Sequence, residues 1–186
     1  MLRSVIISGP PAIGKTTVAK GLAEEFNFKH LSGGDILKEM AGEEGFSSKG
    51  DDWWDTQDGM DFLNKRKTNP EFDKKVDEKL QEHFHQGSVI ITSYTLPWLV
   101  NDGIKLWLSG SFENSAKRMK IRDSVSELDA LKVVKKRFNE NKEIYKSLYN
   151  FEFGEDLSVF DKIINTDDLN AEEVLNIAKL TVRELL

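Results

Sequence analysis

Gly9-Pro-Pro-Ala-Ile-Gly14-Lys15-Thr16 carries the plainest chemistry in this chain. A glycine at each end lets the backbone curl until successive amide N–H groups face inward, where they can hold phosphate oxygens. The residues that follow read as a helix, whose positive end adds to the attraction for the same anion. Lys15 is long enough to reach the outer phosphates of a polyphosphate, and the Thr16 hydroxyl is placed to ligate Mg²⁺. Gly9, Ala12, Ile13, Gly14, Lys15, Thr16 and Thr17 are therefore the expected phosphate-binding set, with Thr16 as the metal ligand. A glycine-rich turn followed by an accidental Lys-Thr is the plainer alternative. It leaves unexplained why a strand precedes the loop and a helix follows it.

The elements that must position this loop can be read from apolar spacing. Val5-Ile6-Ile7 is a buried strand, and Val18, Leu22 and Phe26 mark one face of a helix from Thr16 to Phe26. A second strand is expected over Phe28 to Leu31. Phe72, Val76, Leu80 and Phe84 predict a helix from Pro70 to His85, with proline near its start. Val89-Ile90-Ile91 and Lys105 to Leu108 read as two more strands. Ser111 caps a helix through Arg122, and Ser124 with Glu127 forms an expected capping box. A long helix follows, lined by Leu131, Val134, Phe138, Asn141, Tyr145 and Leu148. A last strand, Phe160 to Ile164, precedes a helix capped by Asn170 and Glu173. Strands alternating with helices predict an α/β fold, a parallel sheet flanked by helices on both faces.

Two stretches exceed this alternation: the polar segment Gly42 to Asn69, and Asp123 to Ser158 between two core strands. Excursions of that size usually act as lids or binding arms. The expected organisation is one domain over 1–186. Its core is 1–32, 86–122 and 159–186, with an acceptor-binding arm at 33–85 and a helical lid at 123–158.

The net charge of −6 and the absence of a large basic block argue against nucleic acid or an anionic membrane as the main partner. With no cysteine there is no disulfide framework and no thiolate metal site. No apolar run approaches the roughly 20 residues of a membrane span, and the N-terminus carries no signal pattern, so the cytoplasm is the expected compartment. A monomer or homodimer acting on a small molecule is the expected form.

The loop has Walker A spacing, which several classes of phosphate-binding protein share. A regulatory GTPase would need an Asn-Lys-x-Asp base-reading motif, and Asn165-Thr-Asp-Asp168 lacks the lysine. Leu31-Ser-Gly-Gly-Asp35 resembles the signature peptide of ABC ATPases but lies too near Lys15 for that role. A kinase moving the γ-phosphoryl group of ATP to a small molecule remains.

Further residues resemble the nucleoside-monophosphate kinases, most closely the archaeal cytidylate kinases, over nearly the whole chain. His30-Leu-Ser-Gly-Gly-Asp-Ile-Leu-Lys38 resembles the segment that opens their acceptor arm. Asn69-Pro-Glu-Phe-Asp73 with Asp77, the pair Arg118 and Arg122, and Lys136-Arg137-Phe138 have counterparts too, as do Asp156 to Asp161 and Ile163-Ile-Asn-Thr166. The resemblance implies a three-layer P-loop kinase fold with ATP and Mg²⁺ as cofactors. It sets Arg118 against the adenine, and Arg122 and Arg137 on the transferring phosphoryl group, where guanidinium forks neutralise spread charge. The plainer reading of these arginines is a solvated helix face, the fate expected for Lys132, Lys135, Lys142 and Lys146.

Departures fall on the acceptor side. Lys38 stands where the family has arginine, Thr92-Ser93-Tyr94-Thr95 where it has Glu-Gly-Arg-Leu, and Glu78-Lys79 where it has an arginine pair. Two readings follow: a cytidylate kinase, or a relative recruited to another phosphorylated metabolite such as mevalonate 3-phosphate. The selective loss favours the second. An alcohol acceptor must lose a proton, and Asp35 is the expected base beside Lys15, Arg122 and Arg137 as catalytic residues. Asp35, Lys38, Tyr94 and Asp77 are the expected acceptor-binding set. Trp53 and Trp54 could wall a pocket or anchor a loop, and His30, His83 and His85 read as surface residues without metal-ligand spacing.

Overall fold

In the computed structural model, which describes residues 3–46, 61–62 and 71–186, Val5 and Ile7 point to one face of the sheet and Ile6 to the other. That alternation makes β1 (Val5–Ser8) the central strand, apolar on both sides. The sheet has five parallel strands in the order β2-β3-β1-β4-β5, with β2 at Lys29–Ser32, β3 at Val89–Thr92, β4 at Ile104–Ser109 and β5 at Lys162–Asn165. Val5 pairs with Ile90 on one side and Ile104 on the other.

One face is covered by α1 (Lys15–Phe26) and α7 (Ala171–Leu185), whose Val18, Leu22, Val174 and Val182 pack on Val5 and Ile7. The other carries α2 (Gly33–Glu43), α3 (Glu71–His85) and the short α4 (Leu96–Leu99), with Ile36, Met40, Leu80 and Phe84 against Ile6 and Ile91. The expected α/β sheet between two helical layers is observed. A hairpin of α5 (Phe112–Asp123) and α6 (Glu127–Tyr149) closes on itself through Ala116, Met119, Ala130 and Val134. No described helix is long and apolar enough to cross a membrane.

The structure amends several local expectations. Ser124 is not the cap of α6: at φ 54° it ends α5 in the left-handed conformation, and the Ser126 hydroxyl accepts from the Asp129 amide instead. β5 starts at Lys162 rather than Phe160, because Phe160 turns into an aromatic cluster. That cluster joins Trp107 of β4 to Tyr145, Phe151 and Phe153, with Trp98 stacked on Phe151 at 4.5 Å. It fastens the segment after α6 to the core. Pro70, Trp53 and Trp54 lie outside the described residues. His30 is half-buried, its Nε2 enclosed without a hydrogen-bond partner among the described residues, which corrects its reading as a surface residue.

Candidate active site

The phosphate loop leaves the C-terminal end of β1 at the point where the chain changes direction across the sheet, with β3 to one side and β4 to the other. A crevice opens at such a switch point. Gly9 has φ 145°, and a Cβ there would lie 2.4 Å from the Leu108 carbonyl oxygen, so only glycine fits. Ala12 at φ 58° and Gly14 at φ 107° complete the turn into α1. The first amides of α1 have no acceptor within the helix and stay open to an anion.

Lys15 Nζ donates to the carbonyls of Gly9 at 2.9 Å and Pro10 at 2.6 Å, and lies 4.5 Å from the centre of the Tyr94 ring. The side chain is half-buried by area, but its ammonium end is enclosed by the loop. Loss of water, and next the nearby Arg137 guanidinium, bring its pKa down from the ordinary lysine range to about 7.

Two cavities meet at this lysine. The first, about 810 Å³, is lined by the loop from Ala12 to Thr17 and by Tyr94, Arg118, Arg137 and Thr166. Arg118 donates through Nη2 to the Thr166 carbonyl at 3.0 Å, while its Nη1 is buried with no partner among the described residues. Asp167 accepts from the Ser111 amide at 2.8 Å and from Asn114 Nδ2 at 2.8 Å, so it ties the start of α5 to the loop after β5. Those bonds hold its carboxyl below the usual range. A loop of open amides, an unsatisfied guanidinium and a volume in the range of small-molecule sites fit a phosphorylated small molecule.

The second cavity, about 510 Å³, shares Lys15, Thr16, Tyr94 and Arg137 with the first. Its remaining walls include Ser32, Asp73, Asp77, Ser93, Thr95 and Asn141. Buried Asp77 accepts from Thr95 Oγ1 at 2.5 Å and from the Tyr149 hydroxyl at 2.6 Å, joining α3, the loop after β3 and the end of α6. Burial, and next the carboxylate, push the Tyr149 phenol well up.

The structure brings together the expected phosphate-loop residues with Arg118, Arg137, Tyr94 and Asp77. Arg122 lies on α5, but its side chain is outside the described residues. Lys38 is on α2 and is not among the residues lining the second cavity. Asp35 is placed differently from its expected role as a base. Its exposed carboxylate accepts from the Ser32 amide and hydroxyl, both at 2.7 Å, as the capping box that starts α2, and it does not line the cavity. The spacing Ser32-x-x-Asp35 was the signal for that cap. Lys79 also has a structural partner set, bridging Glu39 and Glu43 of α2. Sequence reasoning gave no site role to Tyr149, Asp167 or Thr166, the last noted only within the Ile163-Ile-Asn-Thr166 resemblance; their contacts span 48 to 72 residues.

Residues 8–114 match the family model described as an AAA domain. The cytidylate kinase of Pyrobaculum islandicum is 34% identical over 176 residues, covering 94% of this chain and 89% of that protein. The cytidylate kinase of Methanocaldococcus jannaschii is 31% identical over 186 residues, with 97% and 98% coverage. Shikimate kinase from Acinetobacter baumannii, at 18% identity, shares the fold with a TM-score of 0.58 over 100% of this chain and 96% of that one.

Proposed function

The chain belongs to the cytidylate kinase family of P-loop proteins and is a kinase; from that premise we propose that it moves the γ-phosphoryl group of ATP onto the phosphate of CMP or dCMP. The observation that carries this reading is the meeting of two cavities at Lys15, Thr16, Tyr94 and Arg137. Phosphoryl transfer has little covalent chemistry for a protein to perform. It needs donor and acceptor oxygens in line and the spread negative charge neutralised, and a shared boundary lined by two cations supports both.

In this reading the loop amides and Lys15 hold the β- and γ-phosphates. Thr16 would ligate Mg²⁺, which when bound supplies further neutralisation of phosphate charge. Arg118 takes the base side of the larger cavity, which it lines. Arg137 faces both cavities and follows the phosphoryl group from one to the other. Arg122 and Lys38 keep their proposed roles toward the transferring group and the acceptor phosphate, with 33–85 as acceptor arm and 123–158 as lid. An acceptor phosphate is already a nucleophile near neutral pH, so no general base is required.

The mevalonate 3-phosphate reading finds no support among the relatives, which are named cytidylate kinase, and the cytidylate reading fits them better. The test is ADP release over a panel of CMP, dCMP, UMP, AMP and mevalonate 3-phosphate. CMP and dCMP are expected to give the highest kcat/KM. Turnover of mevalonate 3-phosphate with none of CMP would overturn the acceptor and leave the kinase assignment standing.

A further inference from the structure

Among the described residues, no carboxylate lines the larger cavity. Part of its wall comes from the loop after β5 and the start of α7, two strands from the phosphate loop and so about 10 Å across the sheet. Thr166 and Asn170 belong to that wall, and Arg118 of α5 bonds to it. Asp167 is next in the chain, but both its oxygens are engaged by Ser111 and one of them also by Asn114. Thr166 is engaged by Arg118, which donates to its carbonyl at 3.0 Å and to its hydroxyl oxygen at 3.3 Å. Arg118 itself brings donors and no acceptor, and its enclosed Nη1 has no partner among the described residues. The Asn170 side chain is held in one orientation. Its Oδ1 accepts from the Glu172 amide at 2.9 Å and the Glu173 amide at 3.0 Å, while Glu173 Oε2 accepts from the Asn170 amide at 2.7 Å. An NH₂ group could not accept two such bonds, so the cap itself decides which end of the side chain is oxygen. Nδ2 is left as a pure donor, without a partner among the described residues.

We propose that Asn170 is a specificity-determining residue for the base of the phosphoryl donor: its Nδ2 donates to ring N1 of adenine, and a wall without a side-chain acceptor rejects guanine. The proposal rests on the reading of the larger cavity as the site of a nucleoside triphosphate. With the phosphates at Lys15 and Thr16, a purine reaches the far wall with the edge opposite its sugar. On that edge adenine has a lone pair at N1, which matches Nδ2. Guanine has an N–H at N1 and an amine at C2, so the same wall sets donor against donor. Selection then comes as much from the mismatch with guanine as from the bond to adenine. Met119, Leu169 and Val174 give the cavity apolar surface for the faces of the ring, which does not tell one purine from another.

The test is titration calorimetry of wild type, Asn170→Asp and Asn170→Ser with the magnesium complexes of ATP, GTP and inosine triphosphate, no acceptor being present. Both replacements keep an oxygen that caps α7, so the melting temperature should hold. Asn170→Asp exchanges the donor for an oxygen that accepts from N1–H, and should lower the ratio of ATP to GTP affinity by about ten- to a hundredfold. Asn170→Ser removes the nitrogen and should weaken ATP about three- to tenfold, with GTP within about twofold of wild type. Inosine triphosphate has the N1–H of guanine without its amine and should follow GTP, which ties the effect to N1. If Asn170→Asp does not fold, the Asn170→Ser ratio decides. Equal weakening of all three nucleotides, or a ratio that does not move, would overturn the proposal and leave Asn170 as a cap alone. A wild-type protein with no preference for ATP over GTP would overturn it as well. Wild type that binds none of the three would strike the donor reading of the cavity together with the proposal, whereas a fixed ratio with ATP still bound strikes the role of Asn170 only.

Discussion

In the proposed reading, Lys15 makes ATP binding a pH-dependent event with a calculable slope. In the ligand-free protein its pKa is about 7. Phosphates placed against the ammonium favour the charged form and raise that value, so nucleotide binding must take up a proton. The sign follows: affinity is full below about pH 7 and is lost as the pH rises. If only the charged lysine binds, Kd scales as one plus the ratio of neutral to charged lysine. Binding should then weaken about fivefold from pH 7 to 8 and about tenfold more by pH 9. Titration calorimetry with magnesium–ATP in buffers of different ionisation enthalpy reads both Kd and the protons taken up. Lys15→Arg is the internal control, because a guanidinium stays charged across this range. The difference between the two proteins cancels the nucleotide's own titration. A wild-type Kd that is flat from pH 7 to 9, without proton uptake, would refute the reasoning.

Arg137→Ala should lower kcat by about 10²- to 10³-fold and change KM for ATP far less, since neutralisation is needed most in the transition state; steady-state kinetics separates the two. Asp35→Ala should cost about 1 kcal/mol of stability through its lost cap, seen as a melting temperature lower by about 2–4 °C, with kcat within about threefold. A kcat loss of about 10²-fold or more there would reinstate Asp35 as a base. Phe153→Ala removes a fully buried ring that touches Tyr94, Trp98, Trp107, Phe138 and Tyr145, and should cost about 3–5 kcal/mol in chemical denaturation. A cost below about 1 kcal/mol would mean that the aromatic cluster relaxes around the gap.

The phosphate loop was legible because its function is local: two glycines, a lysine and a threonine act within eight residues of backbone. Strand β1 and helices α1, α6 and α7 were legible for the same reason, as apolar spacing reports the face an element buries. The second cavity was read less well because its polar residues take their places from partners far along the chain. Asp77 and Tyr149 are 72 residues apart, yet share a hydrogen bond at 2.6 Å. No spacing rule could pair them. Asp35 shows the opposite difficulty, since a carboxylate beside a site drew a chemical reading where Ser32, three residues earlier, gives it a place in a helix start. α2 itself was missed because Gly33 and Gly34 weaken the helical signal that the cap restores.

One helix connects the walls of the two cavities. Arg137 and Tyr149 lie on one helix, α6, separated by twelve residues or about 18 Å of rise. The first faces both cavities, and the second bonds to Asp77 in the wall of the second cavity. Between them, Phe138 packs on Phe112 and Phe153, and Tyr145 on Phe153, so the helix is held by the same ring that orients Tyr94. Glu127–Tyr149 contains no proline or glycine at which the helix would kink, so a shift at one end is carried to the other. A displacement of α6 that moves Arg137 is therefore expected to strain the Asp77–Tyr149 bond. One helix thus carries both Arg137, in the wall shared by the two cavities, and Tyr149, bonded to the wall of the second.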